Sequence, residues 1–317
     1  ISLKVGEIIF YVKALTLEGE DSLKKLRRLA WLWLVVTLFV AVIGCSGLTQ
    51  MRVSESGADL LTVTFIDVGQ GDSILIETPS GKTMLVDGGE RGAGDKVVRA
   101  LREKGIERVN VMVSTHPHAD HIGGLIKVLE KLPVDSVYDS AKPHSSKTYE
   151  DYLTLIYEKD IPFHIARAGD EIPIDDSVKI MVLWPPDTDA GNPCHIEKLS
   201  VNDASVVLCV EFGNSALLLA GDVEAIVENE LIRGGSLPNA QVLKIAHHGS
   251  ITSSTDDFLN EVKPKIAVIC VGAGNRYGHP HKEVIKSLIY AGAEILRTDI
   301  HGTIVLQSDG MTWTVKK

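Results

Sequence analysis

The chain has 317 residues, 44% of them hydrophobic and 23% charged, the balance of a globular protein and not of a disordered or fibrous one. Its 42 Asp and Glu outnumber 32 Lys and Arg, so the net charge is −10 and the basic stripe that marks most nucleic-acid binders is missing. The four cysteines (Cys45, Cys194, Cys209 and Cys270) form no C-x-x-C pair, which excludes a thiolate zinc knuckle and a dithiol redox motif.

In chain order the first feature is an address. The basic run KKLRR at 24–28 precedes an uncharged stretch of 15 residues, Leu29 to Ile43, which suits a signal-peptide core better than a bilayer span of about 20 residues. The stretch ends in Val42-Ile43-Gly44-Cys45, which looks like a bacterial lipobox with Cys45 as the lipidated residue. The alternative is an uncleaved anchor, because the apolar run can be read on to Leu48. Either way the chain beyond is expected outside the cytoplasm, tethered to the membrane. The residues ahead of Ser22 fit neither a signal nor a domain, and are read as a mis-assigned start or a fragment. The expected organisation is therefore an extension with signal and lipobox over 1–45, a polar tether over 46–59 and one domain over 60–317. Without residues 1–45 the remainder holds 26 basic and 38 acidic residues, a net of −12.

From residue 60 strands and helices alternate. LLTVTFIDV, DSILIET and KTMLVDGG predict an antiparallel start, with Pro79-Ser80-Gly81 as a turn. AGDKVVRALREKG (93–105) predicts a helix stopped at Gly105. VNVMVST is a buried strand that runs into STHPHADHIGGL, followed by the helix IGGLIKVLEKL, the strand VDSVYD, the helix TYEDYLTLIYEKD and the strand KIMVLWPP. In the second half SVVLCVEF and SALLLAGD predict a hairpin across Gly213-Asn214. Three helices follow (VEAIVENELIRGG, DFLNEVKP and KEVIKSLIYAG), interleaved with the strands AQVLKIAHHGS and KIAVICVG. EILRT, GTIVLQS and MTWTVKK close the chain as strands. Cys209 and Cys270 fall inside apolar runs and are read as core thiols. Two sheet-rich halves with helices outside predict an α/β fold, a four-layer α/β/β/α sandwich, with polar motifs where apolar strands end.

The densest of these motifs places His116, His118, Asp120 and His121 within six residues after a buried strand. Three imidazoles and a carboxylate suit first-row divalent metals. Alternate residues His116 and His118 can face one ion while Asp120 and His121 serve a second. Other polar residues at strand ends have bland readings taken alone: Asp222 as a helix N-cap, Asp87 as a turn residue, His248 as a structural histidine.

The pattern H-x-H-x-D-H resembles the signature of the metallo-β-lactamase superfamily. Asp87 in LVDGG, Asp222 in LLLAGD and His247 in LKIAHHGS occur in that family's order. The resemblance implies two divalent ions, Mn²⁺ or Zn²⁺, held by His116, His118, Asp120, His121, Asp222 and His247. It makes Asp222 the bridging carboxylate and Asp87 and His248 supports of the ligands. The family's third histidine is missing. Only His144, His164 and His195 lie between the loop and Asp222, and the chain reads LSVNDASVVL where that ligand belongs. The first ion is then expected to have His116, His118, Asp222 and a weaker or water ligand, with Asn202 or Asp203 approaching it. An oxygen-richer site tilts the choice toward Mn²⁺.

DVGQGDS, NDASVVL, KIAHHGSITSST and NRYGHPH narrow the resemblance to the extracytoplasmic metallo-β-lactamase-like domain of the ComEC family of DNA-uptake proteins, over residues 60–310. That implies a phosphodiester or nucleic-acid substrate, and a phosphodiesterase or nuclease using a hydroxide bridging two ions about 3.5–4 Å apart. Asp120 and His281 are the candidate catalytic residues, the first orienting the hydroxide and the second protonating a leaving group. Asp72, Ser73, Asn202, Ser250 and His279 are the candidate substrate-binding residues, and Gly69, Gly71 and Ser73 could present backbone N–H groups to an anion. Up to four metal charges would offset the acidic surface locally. The rivals are a hydrolase of the same fold acting on a lactone, thioester or β-lactam, and a non-catalytic metal- or DNA-binding envelope protein.

Overall fold

The computed structural model describes residues 60–187, 196–235 and 237–316. The hydrophobic stretch, Cys45, Cys194 and His195 lie outside these residues. Among the described residues no helix is long and apolar enough to cross a membrane.

Two mixed sheets pack face to face. The first strands are β1 (Leu61–Phe65), β2 (Ile74–Glu77) and β3 (Thr83–Val86), an antiparallel run turned at Gly81, followed by β4 (Val109–Ser114), β5 (Val134–Asp139) and β6 (Phe163–Ile165), all parallel to β3. The second sheet starts with β7 (Val178–Trp184), β8 (Val207–Phe212) and β9 (Ser215–Leu219), antiparallel, and continues with β10 (Val242–Lys244), β11 (Ile266–Ile269) and β12 (Glu294–Arg297), parallel to β9. The chain ends as β13 (Ile304–Ser308), which crosses back to pair with β1, and β14 (Trp313–Lys316), which pairs with β13, giving the order β14-β13-β1-β2-β3-β4-β5-β6 in one sheet and β12-β11-β10-β9-β8-β7 in the other.

Between the sheets lies a dry core built from alternate residues of each strand, among them Val63, Phe65, Ile76, Met84, Val113, Val182, Leu208, Leu217 and Val268. Period-2 alternation forces this, since successive side chains leave a strand on opposite faces. The other face of the second sheet is covered by α4 (Ala225–Gly234), α5 (Asp256–Val262) and α6 (Lys282–Tyr290), which bury Val227, Leu231, Phe258, Val262, Val284 and Leu288 against Leu218, Leu243 and Ala267. On the first sheet's outer face lie α1 (Gly94–Glu103), α2 (Ala119–Lys131) and α3 (Lys147–Glu158), and a last turn, α7 (Thr298–His301), leads into β13. This is the four-layer α/β/β/α sandwich expected from the sequence. Cys209 and Cys270 are buried free thiols, as expected.

Two contacts explain the glycine motifs. The DGG after β3 packs on the IGG of α2, so a Cβ on Gly124 would run into the Gly88 carbonyl and one on Gly88 into the backbone at Leu125. Gly71 (φ +117°) packs its Cα against the Asp120 carbonyl. Gly71 of DVGQGDS therefore lets two backbones meet beside the histidine loop.

Candidate metal centre

Strand ends converge at one place. β4 delivers His116 and His118, the start of α2 delivers Asp120 and His121, the loop after β9 delivers Asp222, and the turn after β10 delivers His248. The carboxylate of Asp222 sits at the middle, with its Oδ2 at 3.2 Å from His121 Nε2, 3.4 Å from His248 Nε2 and 4.0 Å from His116 Nε2. Asp120 Oδ2 lies 3.5 Å from the same His248 nitrogen. His116 Nε2 and His118 Nδ1 face each other at 3.0 Å. His116, His121, Asp222 and His248 are almost wholly buried. Yet His121 Nε2, His248 Nε2 and Asp222 Oδ1 have no hydrogen-bond partner. Buried polar atoms are normally paired. Unpaired imidazole nitrogens aimed at shared carboxylates are the arrangement a divalent cation would complete. His116, His121 and Asp222 form one candidate metal-holding group, and Asp120, His121 and His248 another.

Behind these groups stands a second layer. Asp87 (φ +58°) accepts from the Thr115 N–H at 2.9 Å and the Thr115 hydroxyl at 2.7 Å, and reaches His121 Nδ1 at 2.7 Å. Asp72 is 1% exposed and lies 3.4 Å from His248 Nδ1, which also meets the Cys270 carbonyl at 2.9 Å. His121 and His248 thus each have Nδ1 against a buried carboxylate, which turns Nε2 toward the cluster. His116 Nδ1 meets only hydroxyls, Thr115 at 3.1 Å and Ser205 at 3.2 Å.

The same contacts sort the protonation states of the metal-free protein. Burial disfavours imidazolium, and His116 and His118 are accordingly held below the usual histidine range. For His121 and His248 the burial cost is outweighed by Asp222, with Asp87 adding at His121 and Asp120 at His248, so both are held above it. Burial would raise Asp222 and Asp120, but the neighbouring imidazoles draw both below the ordinary carboxylate range.

Several sequence expectations are corrected by position. His248, not His247, enters the cluster. Both residues have left-handed backbone (φ +48° and +54°), which sends their side chains to different sides of the turn. His247 Nδ1 faces Glu224 Oε1 at 3.3 Å and Thr252 Oγ1 at 3.2 Å. Asp72 and Ser73 are buried behind the site and offer a substrate no surface. Asp203 accepts from the Glu224 N–H at 3.0 Å and the Ser200 hydroxyl at 2.8 Å, and is drawn away from the histidines. Asn202 contacts Glu224 at 3.3 Å and His247 at 3.5 Å, not His116. Asp222 does not cap α4, whose N-cap is Glu224. Of the described histidines between the loop and Asp222, His144 approaches His118 with ring centres 6.0 Å apart, while His164 stacks on Tyr138.

Of the remaining expected residues, His279 and His281 are half-buried and Ser250 is buried. Ser250 Oγ meets Thr252 Oγ1 at 3.0 Å. His281 is the N-cap of α6, and its Nδ1 accepts the Ile251 N–H at 3.0 Å, which leaves Nε2 as the nitrogen able to donate. The His279 ring centre is 5.5 Å from that of His247 and 4.9 Å from that of His281, and burial with its histidine neighbours brings it down to about 4.

One residue was missed by sequence reasoning. Lys244, fully buried at the end of β10, forms an ion pair with Asp72, lies 3.6 Å from Asp222 Oδ1 and donates to the Gly221 carbonyl at 2.8 Å. Its signal was a charge inside the apolar run VLKIA, where a lysine must find a buried partner.

Residues 66–273 match the family described as the Metallo-beta-lactamase superfamily. The chain is 32% identical over 259 residues to ComE operon protein 3 of Bacillus subtilis (strain 168), covering 76% of this chain and 32% of that protein. It is 30% identical over 267 residues to competence protein ComA of Neisseria gonorrhoeae, covering 83% and 35%. The chain spans about a third of the length of these curated relatives. Among solved structures, CmlA, a diiron β-hydroxylase from Streptomyces venezuelae, superposes with a TM-score of 0.51 at 13% identity over 78% of this chain and 54% of that one, a likeness of fold alone.

Proposed function

The chain belongs to the metallo-β-lactamase superfamily, and from that premise we propose that it is a phosphodiesterase or nuclease that works with two divalent cations. The observation that carries this reading is the ring of unpaired Nε2 atoms of His121 and His248 around Asp222, each ring backed by a buried carboxylate. His121, His248, Asp120 and Asp222 would hold one cation; His116, His118 and Asp222 would hold the other. Bound cations would supply a water of lowered pKa and polarise a phosphoryl oxygen. A carboxylate behind an imidazole makes it a stronger ligand. The site built on His121 and His248 would therefore keep a cation the more tightly, and the hydroxyl-backed His116 site the less. Asp120, 26% exposed at its side chain, orients the attacking water. His281 would donate a hydrogen bond through its Nε2–H to the leaving oxygen and lessen the charge that develops there. The DNA-uptake resemblance supports a nucleic-acid substrate, and the cations bring positive charge that the acidic chain lacks.

The test assays the purified chain on bis-p-nitrophenyl phosphate and single-stranded DNA, on nitrocefin and a lactone, and by gel shift. Hydrolysis of both phosphodiesters is expected, abolished by EDTA and restored best by Mn²⁺, with up to two ions per chain. His281→Ala is expected to lower kcat about 10²–10⁴-fold for an alkoxide leaving group and less for p-nitrophenolate. Turnover of nitrocefin or the lactone alone, or DNA retention without cleavage, would refute the reading. Export and tethering at Cys45 belong to the same proposal, and labelled palmitate should enter the wild type but not Cys45→Ala.

A further inference from the structure

The loop from Asn275 to His281 lies beside the metal centre and carries two exposed residues the mechanism does not use, Arg276 and Tyr277. We propose that these two residues form a nucleotide subsite, a platform on which a base of a single-stranded nucleic acid stacks while its backbone runs to the Asp222 cluster. This rests on the nuclease reading and names the part of the substrate that the rim recognises.

The geometry has three parts. First, a row of rings tilted 26–36° from one to the next leads from the centre to the surface. His121 and His248 have ring centres 5.3 Å apart and planes 36° apart; His248 and His279 are 6.4 Å and 31° apart; His279 and Tyr277 are 5.7 Å and 26° apart. The row ends at Tyr277, 48% exposed. Second, the outer end is cationic. The Arg276 guanidinium lies 5.0 Å from the centre of the Tyr277 ring and donates to its hydroxyl at 2.8 Å. Third, the loop is held in shape by one side chain. The Asn275 amide donates to the Gly272 carbonyl at 3.0 Å and the His279 carbonyl at 2.6 Å, and its Oδ1 accepts the Tyr277 and His279 N–H groups at 3.1 Å each.

A phosphate would use the guanidinium and gain nothing from the tyrosine ring. A base gains from both, through stacking and a cation–π contribution. Holding an exposed aromatic rigid lowers the entropy lost when a base settles on it. Because every base has a π-face, the platform is tolerant of sequence. It also answers how a strongly acidic chain can hold a polyanion: part of the affinity comes from stacking, which does not depend on net charge.

The experiment measures KM and kcat of the wild type, Tyr277→Ala, Tyr277→Phe and Arg276→Ala. The substrates are a thymidine oligonucleotide, an abasic oligomer of the same length and bis-p-nitrophenyl phosphate. Wild type is expected to favour the base-bearing oligomer through KM. Tyr277→Ala is expected to raise that KM about tenfold, within the range of one lost stack, and to erase the preference over the abasic oligomer. Tyr277→Phe should restore the preference, because a phenyl face still stacks. Cleavage of DNA with an unchanged KM in Tyr277→Ala, or an equal loss on the abasic oligomer, overturns the subsite alone. Failure of the wild type to cut any oligonucleotide overturns the nuclease reading and the subsite with it.

Discussion

Lys244→Met should lower the unfolding free energy by about 3–5 kcal/mol, the usual result of removing one partner from a buried ion pair. At this domain size that is roughly 6–20 °C in the unfolding midpoint. The side chain is fully buried and holds two carboxylates that are themselves buried, Asp72 by direct ion pairing and Asp222 at 3.6 Å. Methionine fills a similar volume, so the loss comes from uncompensated negative charge more than from a cavity. Burial alone would lower the lysine's pKa, yet Asp72 and Asp222 hold it above the ordinary value, so the ammonium is charged throughout the accessible range. The loss should therefore be nearly independent of pH between 6 and 9. Adding Mn²⁺ should recover part of it, because a cation beside Asp222 replaces half of the missing compensation. Thermal unfolding followed by circular dichroism, with EDTA and with Mn²⁺, measures both effects. A midpoint within 2 °C of wild type would show that Lys244 is not what neutralises this pair.

For Asp222→Ala the expected result is loss of bound metal and of turnover together. Its Oδ2 lies 3.2 and 3.4 Å from the Nε2 atoms of His121 and His248 and 4.0 Å from that of His116, so removing it should take a ligand from both cation sites at once. Changes to residues behind the ligands cost about 10–100-fold in affinity or activity. A shared ligand should cost more, at least about 10³-fold in kcat/KM, or about 4 kcal/mol of transition-state stabilisation. Asp120→Asn is the comparison. It leaves Asp222, His121 and His248 in place, so it should keep much of the metal and lose most of the turnover, since an amide cannot accept a proton from the attacking water. Metal content by plasma emission after dialysis, beside rates on bis-p-nitrophenyl phosphate, separates the two variants. Two ions retained by folded Asp222→Ala would rule out a shared carboxylate.

Much of the fold was legible because its signals are local. The alternation of LTVTF, the apolar run ILI, the Gly213-Asn214 hairpin and the helical spacing of GDKVVRALRE each depend on neighbours a few residues away. Strand edges mattered less: β10 is only Val242–Lys244 where a longer strand was expected, because the chain turns sharply at His247 and His248. The short strand β6 had too few residues to show a period.

By itself the sequence determined which chemistry is present. Three imidazoles and a carboxylate in His116–His121, and single carboxylates at the ends of apolar strands, can be read from spacing, because a buried strand must release its polar residues at its end. Tertiary structure alone decided which polar residues face inward together. His247 and His248 are adjacent and chemically identical, and two left-handed residues send one to Asp222 and the other to Glu224. Asp72 looked like part of a binding loop but is buried against Lys244, a contact across 172 positions that no local pattern encodes. Tyr277 and His121 likewise join one row of rings only because β4, β10 and the loop after β11 end side by side. The reason is physical. Spacing along the chain fixes which side of a strand a residue leaves from. Charge pairing in the interior and close backbone approach at glycines such as Gly71 fix what it meets there.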